Sequence, residues 1–334
     1  MLEGSRDRQR AKVQLGSNRK GRISRFLKLG IKRIEPGKNR VLLERLSLFR
    51  RSEARPRPCT ASVTLASTRA RASSTLTSVR VITLNLNGIR SAISKGVMTW
   101  LAAQSADIIL LQEVRATPAQ IPDLETLGLG DYHAHWFAAE KAGYSGVGIL
   151  SKLEPRSVTR GFGNAEFDAE GRIITADFGD FSAISAYFPS GSSSEERQAA
   201  KYRFLDAFAP HLERLKSSGE LLIGGDFNIA HEKIDLKNWR SNQSNSGFLP
   251  EEREWMTARL ANGWRDVLRD HVGPDAAVYS WWSNRGRARQ NDVGWRIDYQ
   301  LTTPVLAKCA TQAGIYREVF YSDHAPVTVD YNLE

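Results

Sequence analysis

The chain is poor in cysteine: among 334 residues only Cys59 and Cys309 occur. Two such residues cannot build a disulfide framework, and no Cys/His cluster has the spacing of a zinc site. A reducing compartment is expected. There is also no uninterrupted apolar run near the roughly 18–20 residues that a membrane span needs. The N-terminus lacks the apolar core of a secretory signal, and no internal repeat recurs at a fixed period. Acidic residues are scarce at one end only. Residues 1–80 hold 21 Lys/Arg against 5 Asp/Glu, whereas the remainder holds 26 against 32. The formal charge of +10 therefore belongs to the N-terminal segment, and the rest is net acidic. The basic balance by itself cannot argue for nucleic-acid binding by the folded part.

Residues 1–78 are rich in Arg and Ser and carry no sustained period. A basic amphipathic helix over Phe26–Phe49 would be broken by Pro36 and Gly37. Three readings compete: an organelle transit peptide, a basic arm for nucleic acid, and a disordered extension outside the folded unit. Residues 79–334 are the expected folded domain. With 41% hydrophobic residues overall, the chain can bury the core of one large α/β domain. VRVITLNLNG alternates apolar and polar residues and runs into a Gly turn, which predicts a strand. ADIILLQEV, YSGVGILSK, RIITADF, FSAISAYFP, ELLIGGDFN, RIDYQLTT and HAPVTVDYNL predict further strands. Glu195–Lys216 spaces Phe204, Phe208, Leu212 and Leu215 by three and four, and Gly219 follows. Pro250–Leu260 begins with Pro and acidic residues, which favours a helix start. Strands mixed with helices over this length predict two packed sheets flanked by helices.

Polar residues gather where these strands end. Asn85 and Asn87 close the first, Gln112 and Glu113 the second, and Tyr187 the FSAISAY strand. Asp226 and Asn228 close ELLIGGDFN, Asp298 interrupts RIDY, and Asp323-His324 opens the last strand. Any one of them alone reads as a turn former. Together they form an oxygen-rich set suited to Mg²⁺ or Mn²⁺, because hard cations take oxygen ligands. A single His in that company is a poor zinc ligand set but a good phosphate contact. No Ser-His-Asp or Cys-His pattern suggests a covalent intermediate.

LNLNGIR, LLQEVRA, GYSGVGILS, AYFPSG, GDFNIAHEKIDLKNW, NSGFLPEERE, YSWWSN, VGWRIDY and SDHAPV follow one another from Val79 to Leu333. In this order they resemble the motifs of exonuclease III and its AP endonuclease relatives, in the endonuclease/exonuclease/phosphatase superfamily. GDFN and SDH are shared across that superfamily, whereas IDLKNW, NSGFLPEERE and VGWRIDY belong to its DNA-repair branch. The resemblance implies an α/β fold, a four-layered α/β sandwich of two packed mixed β-sheets flanked by helices. It implies Glu113 as principal metal ligand, with Asn87 and Asp323 close to the metal, and Asp226 and Asn228 joining if a second metal binds. Asn85 and Asn228 would position phosphate oxygens and the attacking water, and Asp226 would be the base. His324, oriented by Asp298, and Tyr187 would contact the phosphate.

On the substrate side, YSWWSNRGRARQNDVGWRID interleaves aromatic residues with Arg285, Arg287 and Arg289, a mixture that suits groove contact and stacking. Core packing is the plain reading for Trp282, and a solvated turn for the arginines. The resemblance makes Trp281, Trp295 and Ile297 the walls of a pocket for a flipped-out abasic sugar. Lys141, Lys233, Lys237 and Arg240 are candidates for backbone phosphate contact or plain solvated surface. The FPSGSSSEER loop departs from some family members, which place Asn and an Arg there.

The expected activity is therefore Mg²⁺-dependent incision of double-stranded DNA 5′ to abasic sites, leaving a 3′-hydroxyl. Removal of 3′ blocks and 3′→5′ exonuclease action accompany it. The expected molecule is a monomer in the bacterial cytoplasm with the chromosome, or in an organelle if the N-terminal segment is a transit peptide. A superfamily phosphatase acting on a non-DNA phosphoester and a catalytically silent DNA-binding protein are the competing readings.

Overall fold

The computed structural model of the protein describes residues 78–333. The expected basic extension lies outside the described residues, except for Ser78, which already begins the first strand. In chain order the strands are β1 (Ser78–Asn85), β2 (Ile108–Gln112), β3 (His133–Phe137), β4 (Val147–Ser151), β5 (Ser157–Arg160), β6 (Ile173–Asp177), β7 (Phe181–Tyr187), β8 (Glu220–Asp226), β9 (Arg265–Asp266), β10 (Trp281–Trp282), β11 (Gly294–Trp295), β12 (Asp298–Thr302), β13 (Ala310–Ile315) and β14 (Val327–Asn332). The α-helices are α1 (Ile89–Ser94), α2 (Val97–Gln104), α3 (Ala165–Asp168), α4 (Glu195–Lys216), α5 (Pro250–Ala261), α6 (Val267–Val272) and α7 (Pro304–Cys309).

Two six-stranded sheets result, ordered β13-β14-β1-β2-β4-β3 and β5-β6-β7-β8-β12-β9. Both are mixed: β1–β2 and β7–β8 run parallel, and the other neighbours run antiparallel. The period of two decides which residues meet. Val79 and Val81 of β1 join Ile108 and Leu110 of β2 against Ile174, Ala183 and Leu222 of the second sheet. Ile82, Leu84, Ile109 and Leu111 face the other way, onto Ile89, Val97 and Leu101 of α1 and α2. On the outer face of the second sheet, Ile184, Ile223 and Leu301 meet Phe204, Phe208 and Leu212 of α4. The layers are thus helix, sheet, sheet, helix, as expected.

α4 spans the residues its apolar spacing predicts. The Ser194 hydroxyl caps it by accepting from the Arg197 N–H, acidic residues fill its first turn, and Arg214 and Lys216 its last. Phe208 packs its ring on Phe162, Phe188 and Phe204, so truncation to Ala would cost roughly 3–5 kcal/mol. The two sheets approach closely at Gly224, where an added Cβ would lie 2.5 Å from the Leu110 Cδ1 atom. That approach brings the polar strand ends of the two sheets within reach of each other.

Six strands were not anticipated by apolar alternation: the two-residue β9, β10 and β11, too short to show a period, and β3, β5 and β13. β3, β5 and β13 lie at or next to sheet edges and are largely exposed or half-buried, which removes the pattern. One placement also needs correction. Asp323 and His324 precede β14 rather than opening it, and His324 makes an isolated bridge with Trp281. The Pro at 326 cannot donate to a ladder, which delays the strand to Val327.

Candidate active site

Along the strands the face between the sheets changes from apolar to polar. In β1 it carries Val79, Val81, Thr83 and finally Asn85, all buried. In β8 the series ends at Asp226, in β7 at Tyr187, and β12 begins at Asp298. Strand register sets Tyr187 opposite Asp226 and Asp226 opposite Asp298, so three of the expected site residues stand side by side. Asn85 faces them from the other sheet, paired in register with Gln112.

Just past the strand ends the backbone turns through left-handed residues: Asn87 (φ 46°), Glu113 (φ 48°) and Asn228 (φ 51°). A non-Gly residue in this region is held there at a cost of order 1 kcal/mol or more, and such strain concentrates at functional sites. Hydrogen bonds hold each turn. The Asn87 N–H donates to Asn85 Oδ1 at 2.9 Å, and the Asn228 N–H to Asp226 Oδ1 at 2.8 Å. The Gly88 N–H donates to the Glu113 carbonyl at 2.8 Å. The turn formers are here the same residues that the sequence offers as site candidates.

The charged centre is compact. Asn85 Nδ2 donates to Asp226 Oδ2 at 2.9 Å and to Glu113 Oε1 at 3.1 Å, joining the two sheets. His324 Nδ1 lies 2.9 Å from Asp298 Oδ2, and His324 Nε2 lies 3.8 Å from Asp226 Oδ2. The Ser280 hydroxyl donates to Asp298 Oδ2 at 2.6 Å and fixes that carboxylate. Burial pushes the Asp226 carboxyl up to about 7, with Asp298 and Glu113 adding to the rise and His324 opposing it. Burial opposes a charge on His324, but the carboxylates of Asp298 and Asp226 outweigh it and carry its pKa up to about 10. Burial and the Glu113 charge raise the Tyr187 hydroxyl well above its usual range, so it stays a neutral donor. Asp323 is held below the usual carboxylate range. Burial opposes that shift, but His324 and hydrogen bonds from Asn87 and Trp281 outweigh it.

Glu113, Asn87 and Asp323 line one cavity of about 730 Å³ together with Asp226, Asn228, Tyr187 and His324. Its carboxylate and carboxamide oxygens form a hard donor set that fits a divalent cation of the Mg²⁺ type. Glu113 is also paired with the Arg115 guanidinium, and Asp323 accepts from Asn87 Nδ2 at 2.8 Å and Trp281 Nε1 at 3.1 Å. Among the described residues, Asp226, Asp298 and His324 form the group of three whose ligand atoms lie within 4.8 Å of one another. Two of them already form a tight hydrogen bond, which suits a proton-handling pair better than a metal cage.

The cavity wall includes Trp281, Trp295, Ile297 and Arg285. The Trp281 and Trp295 rings meet edge to face with centroids 6.3 Å apart. Trp282 is buried core, as its plain reading had it. Arg287 is exposed and is not among the lining residues. Arg289 folds back instead, its guanidinium over the rings of Phe320 and Trp282. Lys141, Lys233, Lys237 and Arg240 are exposed, and Lys233 and Arg240 both lie over the Trp239 ring.

Two residues that shape the wall were not singled out from sequence. Arg296 lies between Trp295 and Ile297 with its guanidinium buried on Asp235, Nε to Oδ1 at 2.7 Å and Nη2 to Oδ2 at 3.0 Å. Its Nη1 reaches Asp266 at 2.6 Å, and Arg269 adds a second cation on Asp235. The backbone follows the same pairing: the Arg296 N–H donates to the Asp235 carbonyl at 2.7 Å, and Leu236 bridges to Trp295. The repair-branch motifs IDLKNW and VGWRIDY contain the two ends of this pair, which is the signal that points to it.

A cavity lined by carboxylates and a histidine, at the shared edge of two packed sheets, defines a hydrolase class. Comparison with known proteins places the chain within it. The model of the Endonuclease/Exonuclease/phosphatase family matches residues 82–324, and the chain belongs to that family. It is 38% identical over 257 residues to an exodeoxyribonuclease of Bacillus subtilis (strain 168), covering 76% of this chain and 100% of that protein. It is 36% identical over 253 residues to the DNA repair nuclease APEX1 of Danio rerio, covering 75% of this chain and 81% of the relative. The structure of an AP endonuclease from Archaeoglobus fulgidus matches with a TM-score of 0.70 at 27% identity, covering 76% of this chain and 100% of that one.

Proposed function

We propose that the protein is a divalent-metal-dependent DNA-repair phosphodiesterase that incises duplex DNA 5′ to an abasic site and leaves a 3′-hydroxyl. The same site would act at DNA 3′ ends as an exonuclease and as a 3′-phosphatase. The observation that carries this reading is Asp226. It is buried, held by Asn85 and Asn228, faces the His324–Asp298 pair and opens into a cavity walled by Trp281, Trp295 and Ile297. Relatives named as an exodeoxyribonuclease and a DNA repair nuclease support it.

Phosphodiester hydrolysis needs an oriented water, a proton acceptor and neutralisation of developing charge. Asp226, with its pKa near neutrality, accepts the proton of a water placed in line with the phosphate. His324, cationic through its bond to Asp298, presents Nε2 to a non-bridging phosphate oxygen. The neutral Tyr187 hydroxyl donates to the same phosphate, and the Asn228 carboxamide, whose Nδ2 bonds the Phe188 carbonyl and Asp226 Oδ2, positions the attacking water beside Asp226. Glu113, Asn87 and Asp323 would hold the metal, Mg²⁺ by their oxygen chemistry, with Mn²⁺ as a substitute. The ion, when bound, supplies positive charge against the phosphate and leaving oxygens. Trp295, Trp281 and Ile297 would receive the extruded sugar, whose lack of a base lowers the energy of flipping. The similarity to a bacterial exodeoxyribonuclease supports a place in the bacterial cytoplasm beside the chromosome.

Cleavage of a duplex carrying one abasic analogue, compared with an intact duplex, tests the reading. Incision with Mg²⁺, none with EDTA, and a 3′-hydroxyl end are expected. An abasic duplex left intact under all conditions would return the choice to a phosphatase of the same family.

A further inference from the structure

A second fully buried ion pair near the site involves residues not yet described. Lys201 on α4 and Glu252 on α5 are both completely buried. The Lys201 ammonium donates to Glu252 Oε1 at 2.6 Å and to the backbone carbonyl of Asn228 at 2.7 Å. Glu252 Oε2 accepts from the Gly247 N–H at 2.7 Å and the Leu249 N–H at 3.0 Å. A buried ion pair is a poor device for stability alone, because desolvation of both charges opposes their attraction. This pair instead grips two backbone segments that border the cavity.

Both segments turn through positive-φ backbone beside the cavity. Asn228 is left-handed at φ 51°, and Gly247 has φ 93°. A Cβ on Gly247 would come within 3.2 Å of both the Asn228 carbonyl and the Trp295 ring, so Gly247 is wedged between them. The Ala230 N–H closes the same corner on the Gly247 carbonyl at 2.7 Å. One ion pair therefore ties the Asn228 backbone to the loop that backs Trp295.

We propose that Lys201, with Glu252, is a positioning residue that holds the Asn228 backbone and the Gly247 loop, and so fixes the Asn228 carboxamide, whose Nδ2 donates to the Phe188 carbonyl at 3.0 Å and to Asp226 Oδ2 at 3.3 Å, beside the Asp226 carboxylate. This rests on the nuclease reading above. A misplacement of about 1 Å from a remote change can lower the rate on the order of 100-fold. Removing the ammonium frees the Asn228 carbonyl and should act on turnover more than on DNA affinity.

The test uses the full chain and four variants: Lys201→Met, Glu252→Met, the double variant, and Arg203→Ala. Arg203 lies on the same helix in an exposed pair with Glu166 and serves as the control. Three quantities are read: kcat and KM on the abasic duplex with Mg²⁺, the melting temperature, and the Asn228 side-chain amide resonance in the metal-free protein. Lys201→Met should lower kcat about 100-fold, leave KM within about twofold, and move the Asn228 resonance. The double variant leaves no unpaired buried charge, so its melting temperature should return towards that of the unaltered protein. Its kcat should stay low and its Asn228 resonance displaced, whereas a purely structural pair would give back both. Recovery of kcat in the double variant, or an unmoved resonance, overturns the proposal. If Lys201→Met does not fold, the double variant carries the test. If the unaltered protein leaves the abasic duplex intact, the nuclease reading fails, and the resonance alone decides whether Lys201 holds Asn228.

Discussion

Asp298 Oδ2 accepts a hydrogen bond from His324 Nδ1 at 2.9 Å, although the two residues belong to different strand ends and are 26 positions apart. The Ser280 hydroxyl and the strand register hold Asp298, so the carboxylate is set before any substrate arrives. The imidazole thereby has a fixed orientation and a stabilised positive charge.

That pairing has a pH signature. His324 is raised to about 10 in the folded protein, against about 6.5 unfolded. Its contribution to stability is therefore complete below about pH 6.5 and is lost as pH rises through about 10. Asp298→Asn should lower the imidazole pKa, followed by NMR in the metal-free protein, and flatten the stability profile across that window. It should also reduce turnover by roughly 10²–10⁴-fold. An imidazole titration unchanged by the substitution would contradict the assigned partnership.

Asp226→Asn should separate activity from stability. Burial raises this carboxyl to about 7, against about 3.9 unfolded, so ionising it costs stability as pH climbs through that interval. Asn removes the cost and keeps the shape. At pH 8 the variant should melt at or above the temperature of the unaltered protein while cleavage falls roughly 10²–10⁴-fold. Near-full cleavage would assign the proton to another acceptor.

Much of this arrangement was readable before the structure. α4 announces itself because one face is buried, which imposes a spacing of three to four, and β1, β2, β7 and β8 because burial on both faces gives them nearly unbroken apolar runs. Asn85, Asp226 and Asn228 stand out as polar residues closing apolar strands, and the family motifs give them roles. The edge strands β3, β5 and β13 left no such trace, since solvent on one side relaxes the choice of residue. The Asp235–Arg296 pair was hidden for a different reason. Its partners are 61 positions apart, and an ion pair at that separation imposes no local pattern. Arg289 shows the converse: its place in an Arg-rich loop suggested DNA, yet its guanidinium lies over Phe320.

The Trp295 wall can be examined by truncation. Trp295→Ala removes a ring that faces the cavity and meets Trp281 edge to face. A stacking loss of about 1–3 kcal/mol predicts binding of an abasic duplex weaker by roughly 5- to 150-fold. Affinity for an intact duplex, measured in EDTA by fluorescence anisotropy, should change far less. Equal losses on both duplexes would make Trp295 a general contact rather than a lesion wall.

The ion pair beneath that wall should matter for stability. Asp235 is buried against Arg296 and Arg269, and removing one partner of a buried pair leaves an uncompensated charge. Asp235→Ala should therefore destabilise the protein by roughly 3–5 kcal/mol in urea unfolding. Burial alone would raise the Asp235 carboxyl, but Arg296 and Arg269 outweigh it and hold it below its usual value. Its contribution is then present above about pH 4 and is lost as pH falls through the depressed folded value. The variant should lack that part of the acid-side slope, so the two stability curves should converge as pH drops. Curves that stay parallel down to pH 2 would show that Asp235 does not supply the acid dependence, whatever its effect on the wall.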